Sequence, residues 1–128
     1  MRLLLDTCTF LWIVSDAPQL SPRARSLFQT ADHEVYLSAA SAWEIGVKYA
    51  LGRLVLPEPP GRFVPAQREA HRIASLGVDE ESVLQVSRLP HVHRDPFDRL
   101  LVCQAIVHGL AILTPDPLVA DYPVRVVW

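Results

Sequence analysis

The sequence predicts an α/β fold with a mainly parallel central sheet flanked by helices. Three observations carry this expectation. Strand-like and helix-like segments alternate along the chain, the order that βαβ units require. The run Leu3, Leu4, Leu5 reads as a buried strand, and it ends on the carboxylate of Asp6. The chain has 128 residues, 50% of them hydrophobic and 20% charged, which fits one domain (1–128) with a real core and excludes disorder.

The elements follow in order. Residues 2–5 form a short strand. Phe10 to Val14 within TFLWIV is apolar around more of a helix circumference than one core-facing stripe needs, and Pro18 ends that stretch. Ser21 and Pro22 suit the N-cap and first position of a helix to about Thr30. EVYL (34–37) reads as a second strand. Ser38 to Leu51 has a helical period in Ala42, Ile45 and Tyr49, and Gly52 is its stop. LVLPEPPGRFVP (54–65) is proline-rich and reads as a connector. Residues 66–75 read as a helix and 76–78 as a short strand. Asp79 with Ser82 opens a helix to about Arg88. PHVHRDPF (90–97) is a loop by its two prolines. Asp98 opens the helix RLLVCQAIV, closed by Gly109. LAILT is a strand, PDP a turn and VRVVW the last strand.

The formal net charge of −2 argues against holding nucleic acid by bulk electrostatics. It leaves room for a metal ion to supply positive charge locally. Cys8 and Cys103 lie in apolar stretches outside any zinc-binding spacing, so they read as reduced thiols, which suits a cytoplasmic protein. No apolar stretch reaches the roughly 18 residues of a membrane span, so no membrane role is expected. Asp6 interrupts the N-terminus too early for a signal peptide.

In a βαβ layout, strand C-termini and helix N-termini share one edge of the sheet, where open α/β sheets place ligands. Asp6 ends the first strand. Glu44 lies early in the helix after the second. Asp98 begins the helix that leads into LAILT, and Asp116 follows that strand. Singly, each has a structural reading. Asp6 and Asp98 can cap helices, Glu44 completes a capping box with Ser41, and Asp116 sits in a turn. Jointly, four like charges on one edge repel, and a divalent cation removes that problem. Carboxylate oxygens without Cys or His partners point to Mg²⁺ or Mn²⁺ rather than zinc.

LLLDT, SAWEI, DPFDRLLVCQA and LTPD, in this order and over nearly the whole chain, resemble PIN-domain ribonucleases, and within them the VapC-type toxins of bacterial toxin–antitoxin pairs. The resemblance implies a PIN-like fold and a metal-dependent endoribonuclease, with Asp6, Glu44, Asp98 and Asp116 as its acidic cluster. Asp6, Asp98 and Asp116 are then the expected ligands of Mg²⁺, or of Mn²⁺. Glu44 holds a ligand water or acts as general base. The resemblance also implies an RNA substrate, a homodimer and a cognate antitoxin lying across a groove.

Around this cluster, Asp95 reads as outer shell or loop cap. Thr7 and Thr114 are hydroxyl donors near the same edge. Arg94 and Arg99 either contact RNA phosphates or pair with the acids. Trp12 and Trp43 are core residues or part of a partner surface. His91 and His93 read as a solvated loop rather than a zinc pair. Two other functions fit parts of the pattern. A haloacid-dehalogenase-type phosphatase also begins strand–Asp, but it wants a second Asp where this chain has Cys8. A PIN-fold module that binds without cleaving needs none of the four acids.

Overall fold

Among the described residues, five parallel strands form one sheet. They are β1 (Arg2–Leu5), β2 (Glu34–Ser38), β3 (Ala74–Leu76), β4 (Ala111–Leu113) and β5 (Val126–Val127), in the order β3-β2-β1-β4-β5. The computed structural model describes every residue of the chain except His93. The helices are α1 (Thr7–Ser15), α2 (Pro22–Gln29), α3 (Ala39–Ala50), α4 (Pro60–Ala70), α5 (Glu80–Leu84), α6 (Pro96–His108) and α7 (Pro117–Ala120). A 3₁₀ turn, Gln85–Arg88, follows α5.

β1 is central, and Leu3, Leu4 and Leu5 are each 0% exposed, which explains the unbroken apolar run. Successive side chains of a strand point to opposite faces. Leu3 and Leu5 accordingly pack with Phe10 and Ile13 of α1, Ile45 of α3 and Phe63 of α4. Leu4 packs on the other face with Leu101, Val102 and Ala105 of α6 and Val119 of α7. The excess apolar surface at residues 10–14 is absorbed mainly by the first of these layers.

The chain crosses from β3 over β1 to β4, so the strand order reverses beside β1. That reversal opens a crevice at the C-terminal ends of β1 and β4. The fully buried Gln104 sets α6 beside it. Its Oε1 accepts the Ser38 hydroxyl at 2.6 Å, and its Nε2 donates to the Gly77 carbonyl at 3.1 Å.

Four expectations need correction. The supposed connector 54–65 contains the first half of α4, because Pro60 occupies the first turn, where no N–H partner is needed. β3 falls at 74–76 rather than 76–78. The cap of α6 is Asp95, not Asp98: its Oδ1 accepts from the N–H groups of Phe97 at 2.9 Å and Asp98 at 3.4 Å. PDP is not only a turn, since Pro117 begins the short α7.

Gly109 ends α6 with φ +67° and donates its N–H to the Ala105 carbonyl. A side chain in this left-handed conformation is strained whatever the free space. Gly109→Ala is expected to lower stability by about 1 kcal/mol, read as a drop in the urea midpoint at unchanged slope.

Candidate active site

Asp6 follows β1 directly and caps α1. Its Oδ1 accepts the Thr9 N–H at 2.7 Å, and its Oδ2 accepts the Thr114 hydroxyl at 2.5 Å. Thr114 follows β4, so this second bond spans the crevice. The Thr114 oxygen also accepts the Asp116 N–H at 3.1 Å. Asp116 in turn caps α7, with Oδ1 on the Leu118 N–H at 2.9 Å. For Asp6 and Asp116, then, capping and clustering are compatible, because each helix start lies on the ligand-binding edge.

Glu44 departs from the expected capping box. Ser38 caps α3 through the Ala40 N–H, and the Ser41 hydroxyl has no hydrogen-bond partner among the described residues. The Glu44 carboxylate instead accepts the Thr7 hydroxyl on Oε1 at 2.6 Å and pairs Oε2 with Lys48 Nζ at 2.5 Å. The sequence reading passed over Lys48. The signal was present in its spacing, since Glu and Lys four residues apart on a helix are neighbours.

One cleft of about 220 Å³ takes in Asp6, Glu44, Asp95, Asp98 and Asp116, with Cys8, Trp12 and Lys48 on its walls. Burial pushes the Asp6 carboxyl up, against the pull of its bonds from Thr114 and Thr9. Burial, and then the charges of Asp95, Asp6, Glu44 and Asp116, push Asp98 up to about 7. The five acids therefore share one field, and their repulsion is not fully relieved by the protein's own donors. Among the described residues, no three Asp, Glu, His or Cys side chains are drawn together into a ready-made metal ligand set.

Other residues singled out in the sequence separate clearly. Arg99 donates Nη1 to the Pro90 carbonyl at 3.0 Å and to the Tyr122 hydroxyl at 3.1 Å, so it ties the loop before α6 to the C-terminal segment. Arg94 is exposed at a separate apolar cleft with Val83, Val86 and Leu100. Trp12 is half-buried and packs edge-on against Trp128, 5.9 Å between ring centroids, which favours its core reading. Trp43 is 64% exposed and leans on Phe97 at 5.1 Å. Of the two tryptophans, Trp12 lines the acidic cleft, whereas Trp43 is the more exposed and lies outside its lining. His91 is exposed, and the His91/His93 pair lies partly outside the described residues. Cys103 is buried and Cys8 is exposed, so the core-thiol reading holds for Cys103 alone.

A larger cleft, about 640 Å³, opens at the opposite edge of the sheet, where α1, α2 and α4 end. Its Arg25 is paired with Asp16. The acidic cleft is the smaller of the two, but it alone combines buried carboxylates with the reversal of strand order.

Residues 3–123 match the PIN domain family. The chain belongs to the PIN-domain family. It is also 35% identical over 81 residues to ribonuclease VapC16 of Mycobacterium tuberculosis, a match that takes in 57% of this chain and 57% of that protein. The chain thus spans little more than half the length of this curated relative. Among solved structures, it superposes on a chain of VapBC2 from Rickettsia felis, solved bound to a DNA fragment from their promoter. The TM-score is 0.74 at 12% identity, over 99% of this chain and 98% of that one. VapBC-1 from nontypeable Haemophilus influenzae gives a TM-score of 0.66 at 16% identity, over 99% and 97%. At such identities the structural likeness is one of fold. Together these matches relate the chain to VapC-type toxins of toxin–antitoxin systems. The dehalogenase alternative falls with the PIN assignment. Among the described residues, no helix is long and apolar enough to cross a membrane.

Proposed function

We propose that this PIN-domain protein, a single domain over residues 1–128, is a Mg²⁺-dependent endoribonuclease. It acts as the toxin of a toxin–antitoxin pair. The observation that carries the reading is the gathering of Asp6, Glu44, Asp95, Asp98 and Asp116 in one cleft at the strand reversal. The donor set fits the ion. Every acid offers hard oxygen, the crowding of charge favours a cation, and Mg²⁺ keeps several waters and so does not need a closed protein cage.

Asp6, Asp98 and Asp116 would hold the ion, with Mn²⁺ as an alternative, and Asp95 would support them from the cap of α6. When bound, the ion supplies an acidified water and charge neutralisation at the phosphate. The protein's own part is positional. Thr114 fixes the Asp6 carboxylate across the crevice, and Thr7 fixes Glu44. Glu44 would accept a proton from the attacking water as its oxygen bonds to phosphorus, while the P–O bond to the leaving ribose oxygen breaks and that oxygen takes a proton from solvent. RNA approaches an acidic cleft, so its phosphates are held locally rather than by a basic surface. Arg94 is the freer of the two candidate arginines for that contact, because Arg99 is engaged with Pro90 and Tyr122.

The partners that follow from this reading are a cognate antitoxin and a second copy of the chain, in the cytoplasm. Exposed Trp43 is the candidate point of contact for a protein partner. The test is cleavage of total RNA by the purified protein. Cleavage should stop in EDTA and return with Mg²⁺ or Mn²⁺. RNA binding that persists in EDTA without cleavage at any metal concentration would instead establish a binding module.

A further inference from the structure

Glu44 differs from Asp6 and Asp116 in its partners. Asp6 and Asp116 accept from hydroxyl and backbone N–H donors, whereas Glu44 accepts from the Thr7 hydroxyl and from a full cation. The Glu44 side chain is 6% exposed and that of Lys48 is 47% exposed. A buried carboxylate is costly unless paired, and here the cation reaches it from the solvent side one helical turn away. Lys48 is also the only lysine in the chain. Both Glu44 oxygens are thus engaged at 2.5–2.6 Å, and one of them faces a positive charge that repels a second cation.

We propose that Lys48 is a positioning residue of the nuclease centre. With Thr7, it fixes Glu44 and keeps that carboxylate out of the metal's ligand set, so that the aspartates hold the ion and Glu44 stays turned to the attacking water. The inference rests on the nuclease reading above and makes that reading more specific. Lys48 weakens metal binding and strengthens catalysis, a combination that a purely structural residue does not produce.

The test is Mn²⁺ binding, followed by loss of the free-ion EPR signal, beside RNA cleavage rates at saturating Mn²⁺. It compares wild type, Lys48→Met, Lys48→Arg and Asp6→Asn. Lys48→Met should bind Mn²⁺ about three- to tenfold more tightly, the size of one unit charge acting on a divalent ion across a solvent-filled cleft. Its cleavage rate should fall at least about tenfold, as for a misplaced general base. Lys48→Arg keeps the charge and should restore most of both properties. If Lys48→Met binds Mn²⁺ no more tightly than wild type, or cleaves as fast, the proposal is overturned while the nuclease reading stands. If wild type fails to bind Mn²⁺, or Asp6→Asn binds it equally well, both are overturned.

Discussion

Asp6→Asn is expected to lower Mg²⁺-dependent RNA cleavage by roughly 10²–10³-fold, the several kcal/mol that charge stabilisation by a metal is worth. The substitution isolates charge from structure. Asn caps helices about as well as Asp, so α1 keeps its start. The amide carbonyl can still accept the Thr9 N–H, and the amide nitrogen can donate to Thr114. The variant should therefore melt close to wild type in the absence of metal while losing both cleavage and growth arrest on induction. Melting far below wild type would mean that Asp6 is chiefly a structural cap, and retained cleavage would remove it from the ligand set.

Asp98→Asn should do something less intuitive, namely inactivate the protein and stabilise it. Asp98 titrates near 7 in the folded protein against 3.8 for the ordinary carboxyl, and burial is the largest cause. Between those pH values the unfolded chain has released this proton and the native state still holds it. Stability therefore falls as pH rises through that window and stays lowered above it. Asn removes the penalty. At pH 8 without metal, the variant should be more stable by about 1–2 kcal/mol after allowance for solvent screening, a rise of a few degrees in Tm. Below about pH 4 the two proteins should melt together, because Asp98 is then protonated in both states. Mg²⁺ should raise the Tm of wild type at pH 8 and leave the variant nearly unmoved. Thermal melts over pH 3–8, with and without Mg²⁺, read out each part. A variant less stable than wild type at pH 8 would show that the Asp98 charge is already well compensated.

Both predictions concern features that the sequence carried openly. Leu3–Leu5 with the terminal Asp6, and the alternation of strands and helices, were enough to place four acids on one sheet edge, because chain direction alone decides which ends meet. Three things were harder to read. The start of α4 was hidden, since Pro59, Pro60 and Gly61 look like a connector although proline suits a first helical turn. The N-cap of α6 belongs to Asp95 rather than Asp98, because both stand next to the helix start and only backbone geometry shows whose oxygen meets the free N–H groups. Lys48 does not stand out in the acidic pattern, because its part depends on the ion pair it makes with Glu44 one helical turn away. Glu44 shows the same difficulty from the other side. Its spacing from Ser41 matches a capping box, but Ser38 lies at the strand–helix junction and takes the cap, which leaves Glu44 for Thr7 and Lys48. Spacing along a chain identifies partners within one element, while the choice among competing partners depends on tertiary placement.

The central claim is that the crowded carboxylates exist to hold a divalent ion. The most direct measurement is the Mn²⁺ affinity of wild type, Asp6→Asn and Asp98→Asn at pH 6 and pH 8. The predicted result is saturable binding by wild type that strengthens from pH 6 to pH 8 as Asp98 gives up its proton, and binding at least about tenfold weaker in each variant. Equal affinity in all three proteins, or RNA cleavage by wild type that continues undiminished in EDTA, would contradict it and return the acids to their roles as helix caps.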